Sequence, residues 1–139
     1  MGLTKVFDLF VGGTPLPEPR HRTYTDKRTG RIICTRDKSA DAWINTLIFF
    51  WRKLIPNNPY DGCLKIRTVY YFKKPKYVKE EEIYKKTKPD GDNLYKLVAD
   101  QLEKIGFVFN DSRFVDIRII KYYKNKKNAE GARIQIWKL

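Results

Sequence analysis

The stretch "KPDGDNLYKLVADQLEKIGFVFND", residues 88–111, joins an amphipathic segment to a group of aspartates. Its apolar residues recur at helical spacing, so the pattern predicts a helix over 92–105 with one face on a hydrophobic core. Gly106 is a typical residue immediately after a helix. Asp92 is well placed to accept backbone N–H groups as the N-terminal cap. The stretch therefore predicts one of the main helices of the fold.

The rest of the chain alternates between strand-like and helix-like patterns. Residues 37–55 carry a helical apolar stripe that ends at Pro56, and Trp43 and Trp51 lie in this stripe as expected core residues. Residues 74–89 form a charged connection that is either a mobile loop or includes a short helix. Strand patterns occupy residues 5–11, the two sides of a hairpin that turns at 26–30, "CLKIRTVYYFKK" (63–74), "RFVDIRIIKYYK" (113–124) and "GARIQIWKL" (131–139).

These patterns predict an α+β (α/β) fold. The length of 139 residues suits a single domain over residues 1–139. The expected architecture is a mixed sheet of five or six strands with two main helices. The pattern leaves the order of the strands open.

The chain is strongly basic, because 29 lysines and arginines against 16 acids give a formal charge of +13. A field of this sign favours nucleic acid as the partner over an anionic membrane. No apolar run is long enough to span a bilayer and no secretory leader is recognisable, so a cytoplasmic protein without membrane association is expected. Two separated cysteines and a single histidine argue against a zinc site and against histidine-dependent catalysis.

The aspartates of the quoted stretch predict a cation site. The helix 92–105 covers about 20 Å, and an extended segment 106–111 covers about the same distance. A chain reversal between the two would therefore bring Asp111 beside Asp90 and Asp92. Two carboxylates about 4 Å apart repel by about 4 kcal/mol at an effective dielectric near 20, so the cluster would need protons or a cation.

The chemistry of these ligands favours a hard divalent cation. Oxygen ligands without histidine or cysteine select Mg²⁺, or Mn²⁺, over zinc. A cation held by Asp90, Asp92 and Asp111 would polarise a phosphodiester. Lys96, one helical turn from Asp92, would neutralise charge that develops on the phosphate. The alternative interpretation is a capped helix followed by a charged turn.

The stretch from Lys88 to Lys121, "KPDGDNLYKLVADQLEKIGFVFNDSRFVDIRIIK", resembles the signature region of the RusA family of Holliday-junction resolvases, which are bacterial and often carried on prophages. The family pattern runs approximately K-P-D-x-D-N-L-x-K, then an aspartate within the helix, a pair of acids that begins a strand, and a lysine beyond it. The front loop "GGTPLPEPRHR" (12–22) also resembles the Gly/Pro turn and basic loop of the family.

The resemblance implies a homodimeric, Mg²⁺-dependent endodeoxyribonuclease without a small-molecule cofactor. It would resolve four-way DNA junctions by paired symmetric nicks in recombination and repair. The residues that match the motif are the metal-binding catalytic aspartates Asp90, Asp92 and Asp111, the essential lysine Lys96, and Asn93 and Asp100 in supporting positions.

Two positions depart from the family pattern. Asn110 stands where the family usually has an acid, so the resemblance leaves a mechanism with one metal ion or with two open. Glu18 replaces basic character in the front loop and would alter contacts with the junction.

Basic residues in the front loop, in the hairpin and after the long strand are expected to contact DNA phosphates. Each of them alone fits a solvated surface equally well, but together they predict a steep salt dependence of DNA binding. The expected contacts are Arg20, Arg22, Lys27, Arg28, Arg31, Lys73, Lys74 and Lys76.

Two other functions fit the same composition. One is a non-catalytic module that binds branched or single-stranded nucleic acid and stacks bases on Tyr24, Tyr70 or Tyr71. The other is a nuclease that acts on flaps or RNA. A binding module gains nothing from carboxylates next to a phosphate, so the complete set of aspartates favours a nuclease.

Overall fold

The computed structural model describes residues 3–19 and 21–139, apart from the side chain of Arg36. Within these residues the chain forms six strands and two α-helices, which confirms the predicted α+β fold. None of the described helices is long and apolar enough to cross a membrane. The elements are β1 (Thr4–Gly12), β2 (His21–Thr25), β3 (Ile32–Arg36), α1 (Asp41–Trp51), β4 (Leu64–Phe72), α2 (Gly91–Lys104), β5 (Phe114–Tyr123) and β6 (Gly131–Lys138), with short 3-10 turns at Arg52–Leu54 and Asp111–Arg113.

Four strands form one mixed sheet in the order β1-β6-β4-β5. β4 and β5 are parallel and are connected through α2, whereas β6 pairs antiparallel with both β1 and β4. β2 and β3 form a separate two-stranded ribbon. The predicted strands are therefore divided between two sheets. Because every residue of β2 is exposed, the ribbon has no buried face to add to the main sheet.

Both helices contribute to one hydrophobic core with the four-stranded sheet. Trp43 and Trp51 of α1 are 4% and 0% exposed, which confirms the prediction that both are core residues. The ring of Phe7 from β1 meets Trp51 edge-on, with centroids 5.9 Å apart. Full burial of a large apolar side chain contributes about 1.5–3 kcal/mol, so these contacts hold the helices against the sheet. The buried apolar residues of α2 are Leu94, Leu97, Val98, Ala99 and Leu102.

Both ends of α2 are defined by local backbone structure. Asp90 is the N-terminal cap residue, with φ −69° and ψ 142°, so the interpretation of Asp92 as the cap is wrong. Asp92 lies in the first turn instead. At the other end Gly106 adopts φ +84°, and its N–H donates to the carbonyl of Glu103 at 3.1 Å. A left-handed glycine that satisfies a carbonyl of the last turn ends a helix in the way predicted for Gly106.

The connection between β4 and α2, residues 73–90, contains no helix, which decides between the two alternatives that the sequence left open. Tyr84 forms an isolated antiparallel bridge with Tyr122 of β5. Lys121 Nζ donates to two carbonyl oxygens of the connection at 2.7 and 2.8 Å. These contacts attach the connection to the end of β5.

The β4–α2–β5 unit determines which ends of the elements meet. Gly91, at the start of α2, faces the second half of β5, since a Cβ on Gly91 would lie 3.1 Å from Ile119 Cγ2. The C-terminal end of α2 lies beside the 3-10 turn from which β5 begins. The 14 residues of α2 place its two ends about 20 Å apart. Side chains at the two ends of α2 therefore lie near opposite ends of the β4 and β5 strands.

Candidate active site

The N-terminal end of α2 opens into a groove of about 810 Å³. Asp90, Asn93 and Lys96 line the groove from the side of the helix, and the proline-rich loop 16–19 lines it from the front of the chain. The loop is held there because Glu18 donates its backbone N–H to the carbonyl of Asn93 at 3.0 Å. The front loop and the aspartate motif, which are far apart in sequence, therefore form one site.

Asp90 and Asp92 are both exposed, and neither carboxylate caps the helix. Asp90 occupies the cap position, but its side chain makes no capping hydrogen bond. Asp92 Oδ1 accepts a hydrogen bond from the N–H of Asn93 at 3.0 Å. The N-terminus of a helix is a favourable place for negative charge. Asp90 therefore presents oxygen ligands to the groove, and Asp92 presents exposed oxygen atoms beside it in the first turn.

Lys96 lies one helical turn after Asp92 and is exposed in the same groove as Asp90. It also lies close enough to Asp100 to oppose the rise in the pKa of that carboxyl group. Along α2, Lys96 thus lies between Asp92 of the first turn and Asp100. This is where a cation can offset negative charge on a bound phosphate.

Lys121 was not among the predicted site residues, although it ends the stretch that carries the family resemblance. Its Nζ donates to the carbonyls of Thr87 and Pro89, immediately before Asp90. Burial, together with repulsion from Lys85, lowers the pKa of Lys121, and the nearby carboxylate of Asp90 opposes this shift. Lys121 therefore positions the segment that presents Asp90.

Asp111 lies at the other end of α2. Its backbone N–H donates to Glu103 Oε1, in the last turn of the helix, at 2.9 Å. Burial, and then repulsion from Asp111, raises the pKa of Asp100. The pKa of Tyr95 is raised mainly by burial, with further contributions from Asp111 and Asp100. Asp111 thus groups with the acids in the second half of the helix.

One chain does not bring Asp111 beside Asp90 and Asp92, contrary to the expected chain reversal. The segment after Gly106 does turn back, but Val108 forms a parallel bridge with Tyr60, close to the N-terminal end of β4. β5 begins at that end of the sheet, and only its second half lies level with the start of α2. Ile119, rather than Asp111, therefore lies beside the N-terminal end of the helix.

The sequence model of the family Endodeoxyribonuclease RusA matches residues 13–136, nearly the whole chain. The chain belongs to the RusA family. RusA proteins are endodeoxyribonucleases, hydrolases that act on DNA junctions, and this sets aside the non-catalytic binding module. No curated protein sequence matches the chain.

RusA nucleases generally depend on a divalent metal ion. In this RusA chain, no three His, Cys, Asp or Glu side chains among the described residues are grouped so that they could hold a metal. The pair Asp90 and Asp92 nevertheless suits Mg²⁺, which takes oxygen ligands and is often held by one or two carboxylates together with waters and substrate phosphates. The ligands present in one chain thus fit a cation that binds together with DNA.

The basic residues predicted to contact DNA lie on two surfaces of this RusA fold. Those of the ribbon are exposed and stand next to the front loop, whereas Arg20 lies outside the described residues. Lys73 and Lys76 are exposed after β4. Lys74 Nζ donates to the carbonyls of Lys79 and Glu80 at 3.1 and 2.8 Å, so it stabilises its own loop. The exposed residues of the ribbon and its turn are Arg22, Lys27, Arg28 and Arg31.

The three tyrosines considered as stacking platforms differ in exposure. Tyr24 on the ribbon is 53% exposed. Tyr70 is 0% exposed, so its ring cannot meet a base, because it points toward the core from β4. Tyr71, the next residue of the strand, points to the opposite face and stacks on Tyr122 with ring centroids 5.7 Å apart.

Proposed function

We propose that this RusA-family chain is a Mg²⁺-dependent nuclease that resolves Holliday junctions by paired symmetric nicks during DNA recombination and repair. The observation that carries the proposal is the pair of exposed carboxylates of Asp90 and Asp92. They lie at the N-terminal end of α2, where Asp90 lines a groove together with Lys96, next to the basic ribbon. The proposal treats residues 1–139 as one nuclease domain.

The position of Asp111 supports a homodimer as the active form. A two-fold axis that pairs α2 antiparallel with its copy brings the C-terminal end of one helix to the N-terminal end of the other. Asp111 of the partner subunit would then join Asp90 and Asp92, and the same arrangement would be repeated at the second site. Two equivalent sites related by a two-fold axis suit two symmetric cuts in a four-way junction.

Exposed apolar side chains near Asp111 support the same pairing. Phe109, Val115 and Ile117 are 62%, 58% and 44% exposed and lie on either side of Asp111 along the chain. β5 is also an edge strand of the four-stranded sheet. Val115 and Ile117 share one face of β5, and exposed apolar side chains that lie together on a surface can mark a contact with another protein. A second copy that covers them would carry Asp111 into the shared site.

Residues of the candidate active site have separate roles in the proposed in-line hydrolysis of a DNA phosphodiester. Asp90 and Asp92 would hold Mg²⁺, which supplies Lewis-acid polarisation of the phosphate when bound. Lys96 stabilises the negative charge that grows on the phosphate oxygens in the transition state. Asn93 anchors the front loop through its carbonyl, and Asp100 lies between Lys96 and Asp111.

The first prediction concerns substrate and metal. We expect the purified protein to cut a synthetic mobile four-way junction symmetrically in Mg²⁺ and to leave a flap and a linear duplex of the same sequence uncut. Chelation with EDTA should abolish cutting but leave junction binding in a mobility-shift assay, because binding depends mainly on basic side chains. Preferential cutting of the flap would favour the alternative nuclease, and cutting in EDTA would contradict the metal-dependent mechanism.

The second prediction concerns the ribbon. Replacing Arg22 and Arg31 with alanine should weaken binding to duplex and junction alike, because we expect both arginines to contact phosphates, and phosphate contacts do not depend on the base sequence. The slope of log affinity against log salt should become shallower by about 0.9 for each phosphate contact that is lost. The matched control replaces the exposed Lys53 and Lys138, which lie outside the ribbon, and should leave the slope unchanged. Equal effects of the two double variants would show that only net charge matters.

A further inference from the structure

A row of aromatic rings crosses the end of the sheet on the face opposite the helices. Tyr122 of β5 is its centre and stacks on Tyr71 of β4, at 5.7 Å with an interplanar angle of 24°. On the other side Tyr122 stacks on Tyr84, at 5.2 Å and 26°. Phe10 of β1 meets Tyr71 in a tilted contact at 6.3 Å. The row begins at Phe10 and ends at Tyr84.

The backbone around the row keeps the rings in place. Phe10 lies over Gly131, where an added Cβ would be 2.6 Å from Phe10 Cζ, so the absence of a side chain lets the ring approach the sheet. Tyr84 is fixed through its backbone, because residues 84 and 122 form a β-bridge and Tyr123 donates its N–H to the carbonyl of Ile83 at 2.8 Å. The platform is thus built into the fold.

Tyr84 leaves the row open at the end nearest the candidate active site. It is 59% exposed, and its ring borders an open groove of about 450 Å³ with Tyr122. Lys85, Arg118 and Lys121 also line this groove, and no acidic side chain is present among its described lining residues. Gly91, the residue between Asp90 and Asp92, lies on the wall of the same groove. The groove therefore reaches the residue that separates the two aspartates in the sequence.

We infer that Tyr84 and Tyr122 form a stacking site for an unpaired DNA base next to the cleavage site. An exposed flat ring at the end of a stack can be extended by a nucleobase, and a base stacked on an aromatic side chain is bound regardless of its sequence. The exposed Arg118 suits a phosphate beside that base. Lys85 and Lys121 donate their Nζ groups to Thr87 and to the carbonyls of Thr87 and Pro89, so they add positive charge to the wall of the groove. The inference rests on the proposed function, since it places the nucleotide beside the scissile phosphate at the branch point of the junction.

The chemistry of the groove favours a nucleotide over an apolar segment of another protein. A protein partner for this groove would have to supply acidic groups against Lys85, Arg118 and Lys121. A DNA strand supplies the negative charge and the flat ring in one molecule. The second groove, beside Tyr71 and Tyr122, combines four lysines with Glu80 and Glu82, and the exposed Tyr84 is not among the residues that line it. The site is therefore assigned to the Tyr84 end of the row.

The test compares single-stranded and duplex DNA in EDTA, so that no cleavage is required. The full-length Tyr84→Ala variant should bind a labelled oligothymidylate about tenfold more weakly than the unchanged protein in fluorescence anisotropy. Tyr84→Phe should bind as the unchanged protein does, because it keeps the ring, whereas Tyr84→Leu should show the loss. Binding to a duplex with the same number of phosphates should not change in any of the three. Thermal unfolding of each variant checks that the fold is retained.

The matched control is Tyr77→Ala, since Tyr77 is 85% exposed on the same connection and does not line the groove. The inference is overturned if Tyr84→Ala binds the single strand normally, if it loses single strand and duplex equally, or if Tyr77→Ala shows the same loss. If the variants bind single-stranded DNA as expected but the unchanged protein cuts no junction in Mg²⁺, the proposed function is contradicted and the stacking site is supported. The two failures are therefore distinguishable.

Discussion

Asp92→Asn is expected to reduce junction cleavage by about 10²–10³-fold or more while binding to the junction is retained. The substitution keeps the shape of the side chain and a carbonyl oxygen that can accept the N–H of Asn93, so α2 should start as before. It removes a negative charge that we propose is needed to hold the cation. Loss of a single group that stabilises the transition state through charge or hydrogen bonding costs about this much in other enzymes.

The measurement is the single-turnover rate on a labelled four-way junction in Mg²⁺, with junction affinity determined separately in EDTA. Asp116→Asn provides the control, because Asp116 is also an exposed aspartate but belongs to β5, away from the groove. It should cut at the normal rate. If Asp92→Asn cuts normally, the aspartate pair is not the metal site. If it loses binding as strongly as cutting, Asp92 supports the fold or the DNA contact.

Mixing two inactive variants should restore one of the two cuts. In the proposed dimer each site takes Asp92 from one chain and Asp111 from the other. In a mixed dimer of Asp92→Asn and Asp111→Asn, one site carries both substitutions and the other carries neither. The expected product is therefore a junction nicked in a single strand, whereas each variant alone gives no product.

This experiment separates a shared site from a site within one chain. If each site were complete within one subunit, both sites of the mixed dimer would be defective and no nick would form. Subunits must be allowed to exchange before DNA is added, and a tagged copy of one variant would report how much mixed dimer is present. A mixture that contains mixed dimers and remains inactive would contradict the proposed pairing.

The local features of the fold followed from the sequence because they depend on short-range patterns. The helical spacing of apolar residues around Trp43 and Trp51 predicted their burial, and Gly106 predicted the end of α2. Strand alternation also separates Tyr70 from Tyr71, since neighbouring residues of a strand point to opposite faces. On that basis Tyr70, on the same face as the buried Ile66, was a poor choice as a platform for bases.

The features that sequence reasoning missed depend on contacts between distant segments. Nothing near residue 74 indicates that Lys74 binds the carbonyls of its own loop, and nothing near Tyr84 indicates that it stacks on Tyr122. The position of Asp111 depends on β4 and β5 being parallel, and the sequence left the strand order open. In a parallel pair the second strand starts at the same end of the sheet as the first. The connecting helix starts at the opposite end, so the acid that precedes the second strand lies far from the start of the helix.

The separation of the motif across the length of α2 has a consequence for the cell. In the proposed arrangement a solitary chain holds only part of the metal ligands, so a freshly made copy would scan chromosomal DNA harmlessly. Nuclease activity would rise with the square of the protein concentration until most chains are dimeric, so a low concentration of the protein would cause little cleavage of DNA. Dimerisation would also complete both active sites at the same time, so a junction would not be left with a nick in only one strand.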